Sequence, residues 1–254
     1  MQNPHITTPP IRFLRRAWHG LLASVGMTCF SVMAPAISAA EFNSVRQLSQ
    51  DAFVGLSKDL AAVTALRALS PGVTLGVLGF DVGIEASVTR INGSEAWRRA
   101  GGGSVDVVTP RLTIHKGLAA GFDIGASLGA AGGTGLQTIG GMVRFQLIDP
   151  GVVTPGATIR LTGNREIGSS SVTVRSLGVD VVIAKPLVVI TPYVGIGSVR
   201  TETTAPGTML SGVSVNLTRT FVGFDSRLAF ATLSAEAEKI GSTTTISGKI
   251  GFRF

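Results

Sequence analysis

From about residue 73 to the end of the chain, apolar and polar residues alternate. Phe80, Val82, Ile84, Ala86 and Val88 are interleaved with Asp81, Gly83, Glu85, Ser87 and Thr89. Phe122, Ile124, Ala126 and Leu128 repeat the pattern, and it is clearest at the end, where Ile246, Ile250, Phe252 and Phe254 alternate with Ser247, Lys249, Gly251 and Arg253. A period of two places the two sets on opposite faces of a strand. Cutting the pattern at its turns predicts ten strands, near 76–89, 105–115, 120–130, 136–147, 156–165, 171–184, 187–201, 212–229, 232–239 and 243–254, with eight or twelve as the alternatives. The parity changes between Phe230 and Leu233. This predicts a turn near Ala231 and Thr232, or else a bulge. The strand at 187–201 is apolar on both parities, so its facing stays open.

Residues 42–70 follow a different period. Val45, Leu48, Phe53, Leu56, Leu60, Val63 and Leu66 recur at three or four residues, and Ser70-Pro71-Gly72 ends the pattern. This predicts one amphipathic helix. Ahead of it, Arg12, Arg15 and Arg16 precede an apolar run over 21–33, and Ser38-Ala39-Ala40 supplies small residues before Glu41. That is the layout of a secretory signal cleaved near Ala40. The expected organisation is therefore a signal peptide at 1–40, a helix at 41–71 and a strand domain at 72–254.

Alternation alone also fits a soluble sandwich. Strand length and the chemistry of the polar face decide against it. Most of the strands match the roughly 9–11 residues that cross a bilayer at a tilt, and exceed the usual 5–6 of soluble sheets. The polar face is Gly, Ser and Thr with single charges of both signs, which suits a narrow lumen where charges must pair. The fold class expected is an all-β, antiparallel up-and-down transmembrane barrel of about ten strands with one N-terminal helix. An even count puts both barrel ends on one side, the periplasm, and sends the longest connections, such as 92–104, outward. A ten-stranded barrel is little wider than an eight-stranded one, which its own side chains fill. The helix is about 10–12 Å across. It is thus expected as a periplasmic lid or partial plug rather than threaded through the whole lumen.

Charge changes the picture little. The formal net charge is +7, but removing the three leader arginines leaves 19 basic against 15 acidic side chains, a net +4. The charges are dispersed, so nucleic acid is not an expected partner. The single cysteine, Cys29, lies in the leader, which excludes disulfide and thiol chemistry from the rest. The expected lumen charge network comprises Asp81, Glu85, Arg111, Asp123, Arg144, Arg160, Asp180, Asp225, Arg227, Glu236, Glu238, Lys249 and Arg253. Glu236 and Glu238, two apart on one strand, could do acid–base work. With Lys249 and Arg253 facing the same lumen, a salt-bridge ladder is the simpler reading, and any unpaired surplus would tune ion selectivity.

The enzyme class finds little support. After the leader the one histidine is His115, expected at a periplasmic turn, away from Ser94, Ser104 and Ser169–Ser171 near the outward loops. No metal-ligand cluster is present, and no cofactor is expected. The glycine-rich stretches 101–103 and 132–135 lack the setting of a phosphate loop and read as flexible loops. Trp97-Arg98-Arg99 has two readings: contact with lipopolysaccharide phosphates, or a Trp at the membrane interface.

The leader and residues 73–254 resemble the small, porin-like outer-membrane β-barrel proteins of Gram-negative bacteria. The most specific motif is the terminal stretch 246–254. Thr191-Pro192-Tyr193-Val194-Gly195-Ile196-Gly197 and Gly79-Phe80-Asp81-Val82-Gly83 after an amphipathic segment add to it. The resemblance implies an outer-membrane location. It also implies recognition of Ile250, Phe252 and Phe254 by the barrel-assembly machinery, with outer-membrane lipids and lipopolysaccharide as neighbours. Two function classes follow: a structural barrel or narrow passive pore for small solutes, and a surface protein binding lipid, lipopolysaccharide or a host partner through its outward loops.

Overall fold

In a computed structural model, the structure describes Phe42, residues 44–169 and residues 171–254. The leader and its cleavage site lie outside them. The alternating region forms ten strands: β1 (Phe80–Arg90), β2 (Asp106–Gly117), β3 (Phe122–Ala131), β4 (Leu136–Ile148), β5 (Gly156–Glu166), β6 (Thr173–Ala184), β7 (Ile190–Thr204), β8 (Val213–Leu228), β9 (Ala231–Ile240) and β10 (Thr243–Arg253). Each pairs antiparallel with its sequence neighbours, and β10 returns to β1 to close the barrel. At the seam Asp81 lies opposite Arg253 and Ile84 opposite Ile250. Phe80 and Phe254 exchange backbone hydrogen bonds of 3.1 and 2.9 Å. Closure removes the unpaired sheet edges that a bilayer would not tolerate.

We call the end holding Phe80 and Phe254 the near rim and the opposite end the far rim. The parity change near residue 230 is a two-residue turn, Ala229–Phe230, between β8 and β9, with Ala229 in the left-handed region at φ 55°. The facing of β7 is settled too: Tyr193, Gly195, Val199 and Thr201 point inward, while Val194 and Ile196 point outward.

The exterior is apolar around the wall, with Ile84, Leu112, Ile124, Leu128, Leu161, Val179, Ile196, Val222, Ile246 and Ile250 all exposed. Phenylalanines collect at the near rim: Phe122 stacks beside Phe145 with ring centroids 4.6 Å apart, and Phe230 beside Phe252 at 6.3 Å. An apolar belt with aromatic residues at its edge is the surface of a transmembrane barrel. No helix among the described residues is long and apolar enough to cross a membrane.

The helical segment is shorter than its periodicity implies. A single 3-10 turn spans Val45–Gln47, and helix α1 spans Gln50–Thr64. Ser49 caps α1 by accepting from the Ala52 N–H at 3.3 Å. From Ala65 the chain leaves the helix and has no regular secondary structure until β1. The connection between β1 and β2 carries a short helix, α2 (Ser94–Arg99).

Candidate functional site in the lumen

Residues 44–75 run down the inside of the barrel from the far rim to the near rim, so of the two expected placements, lid or partial plug, the segment takes that of a plug. The physical reason lies in the taper of the wall. Ten strands at ordinary spacing and tilt enclose a lumen of roughly 20 Å between backbones. A helix about 10–12 Å across then leaves space for short side chains only. The far half of the wall supplies them: Val107, Ala131, Val174, Val213 and Val215 cluster with Phe53, Leu56, Leu60 and Val63 of α1. Burial on nearly all sides matches a helix whose buried set includes Ser57, Asp59, Ala61 and Ala62 as well as the apolar stripe.

The far end of this segment is held by loops. Phe42 lies edge-on to Trp97 of α2 at 5.1 Å, and the Ser44 N–H donates to the Ala100 carbonyl at 3.3 Å. Gln50 exchanges two hydrogen bonds with the backbone of Ser211. Asp59 accepts from the Gly93 N–H at 3.0 Å and from Thr243 Oγ1 at 3.3 Å. Burial raises the Asp59 carboxyl above its ordinary value, and these hydrogen bonds oppose the rise. Trp97 is fully buried, so it is not an interfacial anchor, while Arg98 and Arg99 beside it are exposed. Gly102 backs Trp97, since a Cβ there would come within 2.4 Å of the indole nitrogen.

Where α1 ends, two wall residues and the segment's own Arg67 take over its orphan carbonyls. Asn164 Nδ2 donates to the Thr64 carbonyl at 2.8 Å, Arg111 to that of Ala65 at 3.1 Å and Arg67 to that of Ala62 at 2.5 Å. The thinner irregular chain beyond makes room for long charged side chains. Arg67 donates to Glu238 at 2.8 Å and to Thr245 Oγ1 at 3.0 Å. Arg144 donates to Ser70 Oγ and to the Pro71 carbonyl. Gln146 accepts from the Thr74 N–H and Asp123 from the Leu75 N–H. Val73 packs against Val182, Ala184, Tyr193 and Phe221.

The wall charges also bind one another. Asp81 pairs with Lys249 at 2.6 Å and with Arg253 at 2.9 Å, and Arg253 pairs on with Asp225 at 2.9 Å. Glu85 takes Arg111 at 3.0 Å, and Asp123 takes Arg144. Asp180 takes Arg160 at 3.0 Å and Arg219 at 3.3 Å, and Arg219 also meets Glu238 at 2.5 Å. The guanidiniums of Arg160 and Arg219 lie over the Phe221 ring at 4.6 and 5.3 Å. Glu236 accepts from the Tyr193 hydroxyl at 3.1 Å.

Twelve of the thirteen residues expected in the network are buried in the lumen. The exception is Arg227, exposed at the near rim with its Nε on the Ala229 carbonyl. It falls where β8 runs out toward its turn, beyond the packed interior. Lys249 and Arg253 do not pair with Glu236 and Glu238. The register sets Ser247 opposite Glu236 and Thr245 opposite Glu238, so the cations reach across the seam to Asp81. His115 is not at a turn: it lies within β2, buried, with Nδ1 3.5 Å from Asp81.

Sequence reasoning missed Arg67, Arg219 and Tyr193. Arg219 shares the parity of Asp225 along β8, which was a usable signal. Arg67 carried none, because its partners come from strands remote in the chain. With both included, Arg67, Arg111, Arg144, Arg160, Arg219, Lys249 and Arg253 face Asp81, Glu85, Asp123, Asp180, Asp225, Glu236 and Glu238. Within this set the formal charges are equal; the two further buried acids, Asp59 and Glu166, lie toward the far rim and accept backbone hydrogen bonds instead. Together with the segment that fills it, this makes the lumen a packed interior rather than a charged channel.

No protein-family model matches the chain, and no curated protein matches it. Solved structures do. The translocator domain of the autotransporter NalP from Neisseria meningitidis is 10% identical, over 80% of this chain and 97% of that one, with a TM-score of 0.42. The KdgM porin, solved in complex with disordered oligogalacturonate, is 9% identical over 68% and 99%, with a TM-score of 0.38. Neisserial surface protein A is 11% identical over 68% and 95%, with a TM-score of 0.30. These likenesses are of fold alone.

Proposed function

We propose that the chain is an integral outer-membrane β-barrel whose lumen is closed by its own N-terminal segment, and that it serves as a structural or surface barrel without enzymatic activity. The observation that supports this best is the anchoring of the inner segment at both ends, from Phe42 against Trp97 at the far rim to Leu75 on Asp123 near the other. In this reading the leader is cleaved near Ala40, the assembly machinery takes up the strand ending in Ile250, Phe252 and Phe254, and the near rim faces the periplasm. The longest connection, between β1 and β2, then lies outside, as is usual for such barrels. A passive pore requires the segment to leave the lumen. Among the described residues its departure breaks one buried ion pair with the wall, Arg67–Glu238, which favours the closed state by about 3–5 kcal/mol.

Single-channel recording in planar bilayers tests this. The intact protein is expected to be silent, and deletion of residues 44–72 is expected to produce steps. Steady conductance from the intact protein overturns the closed reading. Silence from both, with the barrel folded, removes the pore reading altogether.

A further inference from the structure

The outer wall of β4 to β7 carries an uncompensated basic cluster at the far edge of its apolar belt. Strand register places Ile139, Arg165, Arg175 and Glu202 in one row across the four strands. The row below it, toward the bilayer centre, is Gly141, Gly163, Leu177 and Arg200. All three arginines are exposed. Arg165 and Arg175 are directly opposite one another, an arrangement that repels unless an anion sits between them. The local acid, Glu202, lies 3.4 Å from Arg200. At the same rim on β1 and β2 the corresponding pair is complementary: Arg90 lies opposite Asp106 and pairs with it at 2.8 Å.

Directly beneath the arginines, Gly141 and Gly163 face one another and leave a notch in the wall. The cavity here measures about 620 Å³, with Ile139 and Leu177 on its flanks. Below it the surface continues apolar through Leu161 and Val179. A groove shaped for hydrocarbon, topped by a surplus of guanidiniums, matches an amphiphile with acyl chains and a phosphate head.

We propose that this notch is a binding site for a phosphorylated, acylated lipid of the leaflet at the far rim. The phosphate bridges Arg165 and Arg175, and an acyl chain lies over Gly141 and Gly163. The proposal goes beyond the closed-barrel reading. It shares only the surrounding bilayer with it, and conductance does not bear on it.

The test is native mass spectrometry of the purified full barrel titrated with diphosphoryl lipid A. The native protein is expected to retain one lipid about tenfold more tightly than the double variant R165Q/R175Q. G141L keeps every arginine and fills the notch. A Cβ at position 141 meets nothing closer than 3.7 Å, so the barrel tolerates the change. It too is expected to weaken retention. Equal retention by all three folded proteins overturns the proposal. So does displacement of the lipid by inorganic phosphate at matched concentration, which would mark a free-anion site.

Discussion

Arg67 holds four groups at once: the Glu238 carboxylate, the Thr245 hydroxyl and the Ala62 and Ala65 carbonyls at the end of α1. Removing it leaves Glu238 with Arg219 alone in a buried setting. Arg67→Ala is expected to lower stability by about 3–5 kcal/mol in urea unfolding from lipid vesicles. Trp97→Ala opens a cavity beside Phe42 and is expected to lose a similar amount, about 3–5 kcal/mol. Arg227→Ala is the contrast. Its side chain is exposed at the near rim and meets only the Ala229 carbonyl, so a change within about 0.5 kcal/mol is expected. A large loss at Arg227 would put it back in the network. The sequence placed it there by parity alone, and parity cannot register where a strand leaves the packed interior.

At the scale of elements, α1 and the irregular chain after it divide the labour of filling the barrel. The helical period was legible, but not its end near Thr64. That end depends on Asn164, Arg111 and Arg67, which accommodate carbonyls a longer helix would have used itself. Ser49→Ala is expected to loosen the helix start by about 1 kcal/mol, read as faster amide exchange over the first turn. Asp59 adds a pH dependence. Its carboxyl is raised in the folded protein, so the ionised form is disfavoured there. Stability from this group falls as pH climbs from the ordinary carboxylate range through the raised value. Asp59→Asn is expected to flatten the dependence in unfolding measured as pH is raised out of the ordinary carboxylate range. An unchanged slope would assign it to another group.

For the whole molecule, the direction of the inner segment has a topological consequence. Residues 44–50 sit at the far rim while both barrel ends sit at the near one, so the chain enters the lumen from the side opposite its C-terminus. Cys29 is the single cysteine, so with cleavage near Ala40 as proposed, introduced thiols are clean reporters. With the far rim outside, Gln47→Cys is expected to react with a membrane-impermeant maleimide on intact cells. Thr154→Cys, exposed between β4 and β5, is expected to react only after permeabilisation. The reverse pattern would invert the barrel.

Alternation, strand length and the chemistry of the polar face together determined from the sequence that this chain is an antiparallel barrel with an apolar exterior. A period of two assigns each residue to a face without reference to any distant partner, and strands of this length match a bilayer. Alternation also determined which charges face inward, save at the strand ends. Only the tertiary structure decided what those charges bind and where the helix lies. Pairing in the lumen depends on the relative stagger of strands and on reach across the seam. Whether a helix fits depends on the summed size of side chains that ten separate strands bring to one height.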